Sequence, residues 1–272
     1  MHHIDVLVKW PSRITFNASN LSKLKVSTAL LILIVVLIFV RCSPNKVLLC
    51  NGGATDYVSL GNIYDDVKLP VTISSWMWVD PSVSTQTPIF ASQNKDNIYN
   101  GFWFVINPTH LFAGYGDGRG ENNSFFRRDK TAEQSGNFGK WIHVAAVIRG
   151  ATDMSIYLNG VDIGGEYVGE SFFTMKSNFP NAVAEIGSLD TNGASYIFKG
   201  KMDDLRIWNR ALTQQEIVEQ MKKKTTILHD RLIGYWNFED AGQDVLDRSG
   251  KNNNGIMNSA SRIKEEIPGL KD

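Results

Sequence analysis

Apolar and polar residues alternate with a period of two along much of the chain beyond residue 70. Val71, Ile73, Ser75, Met77 and Val79 fall on one side of an extended run, and Thr72, Ser74, Trp76 and Trp78 on the other. Both sides carry bulk, which predicts a strand buried between two layers. Residues 88–92, 101–106, 111–115, 141–148, 154–158, 184–186, 199–208 and 232–238 are further short apolar runs of strand character. The run at 154–158 enters Asn159-Gly160 and leaves as Val161-Asp162-Ile163. Asn-Gly between apolar runs predicts a two-residue hairpin, because a type I′ turn needs positive φ at both central positions. One helix interrupts the strands. Thr213-Gln-Gln-Glu216 has the form of a capping box, in which hydroxyl and carboxylate satisfy free amides reciprocally. Ile217, Val218 and Met221 give it a narrow apolar stripe, and Lys222-Lys-Lys224 is placed to complement the C-terminal dipole. Strands of this number, separated by Gly, Asn and Asp turns, predict an all-β, two-sheet antiparallel sandwich with one short helix.

The N-terminal segment follows a different pattern. Residues 26–40 carry no charge, and Lys25 and Arg41 bracket them. As a helix these fifteen residues span about 22 Å, short of a ~30 Å hydrocarbon core, with Lys23, Lys25 and Arg41 able to snorkel across part of the deficit. A helix without a polar face is expected in a membrane. A cleaved signal peptide wants small residues before the cut, and Ile38-Phe39-Val40-Arg41 offers none. Acylation of Cys42 would want a small residue where Arg41 stands. The expectation is a retained signal anchor at 26–41, preceded by a cytoplasmic segment at 1–25. Lys9, Arg13, Lys23 and Lys25 make the leading side basic, so everything after Arg41 is expected to be exported. The two cysteines, Cys42 and Cys50, either pair across a short loop in that oxidising setting or remain free thiols.

The composition narrows the function classes. The chain has 272 residues, 28 basic and 28 acidic side chains, and 11% aromatics. A neutral balance argues against a nucleic-acid partner, which usually needs a basic face.

Specific motifs then add a resemblance. Lys199-Gly-Lys-Met-Asp-Asp-Leu-Arg-Ile-Trp-Asn-Arg-Ala-Leu-Thr-Gln-Gln-Glu-Ile217 resembles the ending of the laminin-G-like/pentraxin group of concanavalin A-like jelly rolls. Asp56-Tyr57-Val58, the 71–79 strand, Trp141-Ile-His-Val-Ala145 and Ile156-Tyr-Leu-Asn-Gly-Val161 resemble other family pieces in order. Leu232-Ile-Gly-Tyr-Trp-Asn-Phe238 with Asp247-Arg-Ser-Gly250 resembles a piece that opens the domain in many members but stands near the end here. It is read as a closing strand, the alternative being the stub of a second copy. The resemblance implies a jelly-roll domain at 47–262, followed by a tail at 263–272.

The resemblance also implies chemistry to be tested. Related sandwiches hydrolyse glycosides with two carboxylates across the bond. The E-x-D-x-x-E string of those relatives is absent, and Asp203-Asp204, as strand neighbours, are expected to point to opposite faces. His143 is expected to be a core or strand-edge residue. The expectation is therefore a protein that is not an enzyme. Asp96-Asn97 resembles the pair that supplies calcium oxygens in pentraxins, and Asp190 and Asn192 are the oxygens available for the other half of such a site. Leu189 replaces the family's Glu there. For sugar, an aromatic ring beside polar groups on a loop or concave face is needed. Tyr99, Phe102, Trp103 and Tyr115 are candidates, with Asp117 and Arg119 of the glycine-rich loop 114–123 in reach. The functional expectation is a membrane-anchored, exported, lectin-like recognition domain for a glycan or glycosylated surface, with calcium as its cofactor. The alternative is a structural or adhesive surface, in a cell envelope or viral coat, that binds a protein partner.

Overall fold

In a computed structural model of the chain, the described residues are 45–94, 98–120, 124–179, 182–191, 194–223 and 229–270. The segments expected at 1–25 and 26–41 lie outside them. Among the described residues no helix is long and apolar enough to cross a membrane.

The first half of the chain forms β1 (Lys46–Asn51), β2 (Val58–Gly61), β3 (Val71–Val79), β4 (Thr87–Asn94), β5 (Phe102–Ile106), β6 (His110–Gly116) and β7 (Arg127–Glu133). Then follow β8 (Trp141–Gly150), β9 (Asp153–Leu158), β10 (Val161–Asp162), β11 (Glu166–Val168), β12 (Ala182–Ile186), β13 (Ser188–Thr191) and β14 (Ala194–Ile197). The chain closes with β15 (Lys199–Trp208), helix α1 (Gln214–Gln220), β16 (Leu232–Trp236), β17 (Asp244–Val245), β18 (Gly255–Met257) and β19 (Ser261–Lys264).

Two antiparallel sheets result. One runs β10-β9-β8-β3-β15-β1-β19 with β16 paired to β15; the other runs β11-β7-β6-β5-β4-β12-β2-β18-β17. A separate hairpin joins β13 and β14. Between the sheets Val71, Ile73 and Met77 meet Phe90, Phe102 and Phe104 in one apolar core. β3 has almost no exposed residue on either face, as its two-sided bulk requires. The Asn159-Gly160 turn has φ of 50° and 81° and pairs Leu158 with Val161, the expected two-residue hairpin.

A second layer covers the outer face of the eight-stranded sheet. Thr213 caps α1, accepting from the Glu216 amide while the Glu216 carboxylate accepts from the Thr213 amide. Ile217 packs on Ala145, Val147, Trp208 and Tyr235. The last turn of α1 holds no basic residue; Lys222 and Lys223 follow its cap residue Met221, and Lys224 lies outside the described residues. Arg206, wholly buried on β15, donates to the carbonyls of Gln220 and Lys223. A guanidinium under the helix end satisfies carbonyls that the helix leaves unpaired.

The boundary at 262 also needs correction. β19 pairs with β1, and beyond it Ile267 and Leu270 pack on Val47 and Trp76. The segment expected as a tail belongs to the domain, because without it an indole and a valine would be wet. The 232–238 piece closes the same sandwich: Trp236 pairs with Leu205, and both Trp236 and Phe238 enter the core. Cys50 is buried in that core with a free thiol, which burial pushes well above its ordinary pKa. Its expected partner, Cys42, lies outside the described residues.

Candidate functional site

The outer face of the nine-stranded sheet carries the polar and aromatic cluster. Alternation along β5 sends Phe102, Phe104 and Ile106 into the core, and Trp103 and Val105 to the outer face. On β6 Leu111 and Ala113 point inward and Phe112 outward. Arg127 and Asp129, two apart on β7, share that outer face with Trp103. Together with Tyr99 these side chains wall a pocket of about 100 Å³, which Gln86, Gln93 and the apolar Val105 and Leu189 also line.

Asp129 organises the pocket. Its Oδ1 accepts the Trp103 indole N–H at 2.7 Å, and its Oδ2 pairs with the Arg127 guanidinium. Arg127 also lies over the Tyr99 ring, 5.5 Å from its centroid, and Tyr99 packs on Trp103 with centroids 5.4 Å apart. The register places Gly114 opposite Asp129, and a Cβ at 114 would come within 2.2 Å of Asp129 Oδ1. A side chain there would displace the carboxylate that fixes both the indole and the guanidinium. The glycine thus serves close packing.

Of the ligand-contacting residues expected from the sequence, Tyr99 and Trp103 meet in this pocket, although only 5% of Trp103 is exposed. Tyr115 does not: it is 1% exposed in the sandwich core, and its hydroxyl donates to the Phe173 carbonyl. It sits an even number of residues from Ala113 on β6, so the alternation that frees Phe112 buries it. Asp117 and Arg119 form a separate cluster at the end of the sheet. Asp117 is buried, accepting from the Arg119 side chain at 3.0 Å and from the Ser171 hydroxyl. Arg119 lies 3.3 Å over the Phe173 ring. Arg127, Asp129, Gln86, Gln93 and Phe112 were not expected. The period-two spacing of Arg127 and Asp129 was a readable signal, but nothing in it said that β7 runs beside β6.

Asp96, Asn97 and Asn192 lie outside the described residues. Asp190 is placed on β13 opposite Ser195. Among the described residues no group of three or more His, Cys, Asp or Glu is positioned to hold a metal ion.

Asp203 and Asp204 lie in the middle of β15, at a bulge where Asp204 takes φ of 51°. Both are buried and committed within the fold. Asp203 accepts from the Asn45 amide at 2.9 Å, and Asp204 from the Tyr235 hydroxyl at 2.8 Å with Arg206 at 3.2 Å. Burial first, and then the Asp204 charge, holds the Asp203 carboxyl well above the usual carboxylate range. His143 is buried against Trp76, ring centroids 5.5 Å apart, as a core histidine.

Residues 51–218 match the family model Laminin_G_3, of the Concanavalin A-like lectin/glucanases superfamily. The chain belongs to the Laminin_G_3 family. Among solved structures, this Laminin_G_3 chain is similar to a protein from Bacteroides ovatus provisionally described as carbohydrate binding, at 16% identity and a TM-score of 0.61. That match covers 84% of this chain and spans 62% of the length of the other. A heptameric SAP-like pentraxin from Limulus polyphemus is similar at 15% identity and a TM-score of 0.50, covering 84% of this chain and 98% of that one. At such identities the likeness is one of fold. No curated protein matches the chain.

Proposed function

We propose that this Laminin_G_3 domain is a non-catalytic recognition domain that binds glycans on the outer face of its nine-stranded sheet. The observation that carries the reading is the pocket in which Tyr99 and Trp103 stand beside a fixed arginine–aspartate pair. Aromatic faces suit the C–H faces of a sugar ring, and the ion pair offers donors and an acceptor to hydroxyls. The likeness of fold to a protein provisionally described as carbohydrate binding is consistent with this reading. Asp96, Asn97, Asp190 and Asn192 would supply oxygen ligands for calcium. The 26–41 segment would anchor the domain in a membrane with its C-terminal part exported. A glycan array probed with the full chain, with and without EDTA, tests this. Binding is expected and should fall in Tyr99→Ala; retention lost with EDTA supports calcium. An array with no retained glycan removes the reading.

A second reading has an observation of its own. Phe125, Phe172 and Phe173 are 59%, 67% and 56% exposed, with Phe173 against Arg119 and Phe172 against Arg128. Several large aromatics left in water on neighbouring loops mark a protein-binding surface. If that is the function, Phe172→Ser with Phe173→Ser abolishes self-association or partner retention and leaves glycan binding unchanged.

A further inference from the structure

We infer that the pocket is built for an uncharged pyranose carrying neighbouring hydroxyls, and against sugars bearing carboxylate or sulfate. The inference rests on the glycan-binding reading and adds the ligand class. Its basis is how the arginine of the pocket is used. Among the described residues, Arg127 is the sole basic side chain in the pocket wall, and Asp129 the sole acidic one. The two are already paired, and Asp129 is nearly fully buried while Arg127 remains half-buried. Their formal charges cancel inside the site. A ligand carboxylate approaching Arg127 would meet a carboxylate that it cannot displace, because Asp129 is also held by the Trp103 indole at 2.7 Å. It would lose water against a site with no net charge to repay it.

A hydroxyl pair suits the same atoms. The guanidinium has five N–H donors in a fixed fork, and Asp129 occupies part of them. Those left over can donate to one sugar oxygen. Gln86, exposed at the edge, supplies an amide carbonyl and an amide N–H that serve a neighbouring hydroxyl in either direction. Tyr99 and Phe112 offer partly exposed ring faces beside these groups. Among the described residues, Arg127 and Gln86 at the mouth are then matched by neutral hydroxyls rather than by an anion.

The test uses the full chain and two panels of immobilised oligosaccharides. One holds neutral gluco-, manno- and xylo-oligosaccharides; the other holds sialylated, uronate and sulfated ones. Both are probed at about 0.05 M and 0.5 M salt, where screening separates charge-driven from neutral binding. The expected result is retention on the neutral panel, little changed by salt, and weakened about tenfold in Arg127→Gln and in the surface variant Gln86→Ala. Circular dichroism of both variants should match the unsubstituted chain, which separates lost recognition from lost fold. Retention on the acidic panel alone, abolished at 0.5 M salt, overturns the neutral-sugar inference and leaves glycan binding standing. Retention on neither panel overturns both. Neutral retention that is undiminished in both variants places the site elsewhere and overturns the assignment of this pocket.

Discussion

His143 shows what a single side chain costs when its surroundings are fixed by the fold. It is 1% exposed, and neither ring nitrogen has a hydrogen-bond partner among the described residues. Burial first, and then the nearby Arg206 charge, pushes its pKa down to about 3 from an ordinary 6.5. The folded state therefore holds the imidazole neutral where the unfolded chain would protonate it. The resulting stability is whole above pH 6.5 and is lost as pH falls towards about 3. Replacing the ring with a non-titrating one, His143→Phe, should flatten the acid limb in that window. Urea midpoints taken at pH 7 and pH 4.5 check this: the gap between the two should narrow in the variant, and an unchanged gap would assign the acid limb to other groups.

At the scale of elements, helix α1 and its roof over the eight-stranded sheet are the clearest case. The cap was legible from Thr213 and Glu216 alone, since a capping box is a contact between residues three apart. Thr213→Ala removes the acceptor for the Glu216 amide and should cost about 1 kcal/mol, read as a lower denaturation midpoint with unchanged glycan binding. The far end of the same helix was not legible. Its carbonyls are met by Arg206, which stands fourteen residues before Gln220 in sequence and reaches it only because β15 passes beneath. Strand β7 was missed for a related reason. Its inward positions Arg128 and Lys130 are polar and donate to the Ala151 and Met154 carbonyls, so the run lacks the apolar alternation of an ordinary strand. Only the neighbouring β6 makes it part of the sheet.

At the scale of the whole domain, the segment after β19 matters: Ile267 and Leu270 lie on Val47 and Trp76, so it completes a layer that begins at β1. Ile267→Ala should cost about 3 kcal/mol, the loss expected for truncating a well-buried aliphatic. Thermal unfolding followed by tryptophan fluorescence would register it, and a shift near zero would show that the segment rests on the sheet without supporting it. The two proposed binding surfaces sit on different parts of this body. The pocket lies on the outer face of the nine-stranded sheet, whereas Phe173 packs on Arg119 and Phe172 on Arg128. Variants in one should leave the other's binding intact.

The sequence by itself determined the longer apolar strands such as β3, β5, β8 and β15, the Asn159-Gly160 turn, the helix cap and the family, because each depends on residues close together in the chain. It also singled out Tyr99 and Trp103, since aromatic rings near loops are visible without coordinates. Only the tertiary structure decided that Trp103 faces outward beside Asp129 and Arg127, and that Tyr115 is core. Those outcomes depend on which strands are neighbours and on which face closes over the other sheet. Pairing between strands is a long-range choice made by the packing of the whole core, and alternation names two faces without saying which of them will be buried.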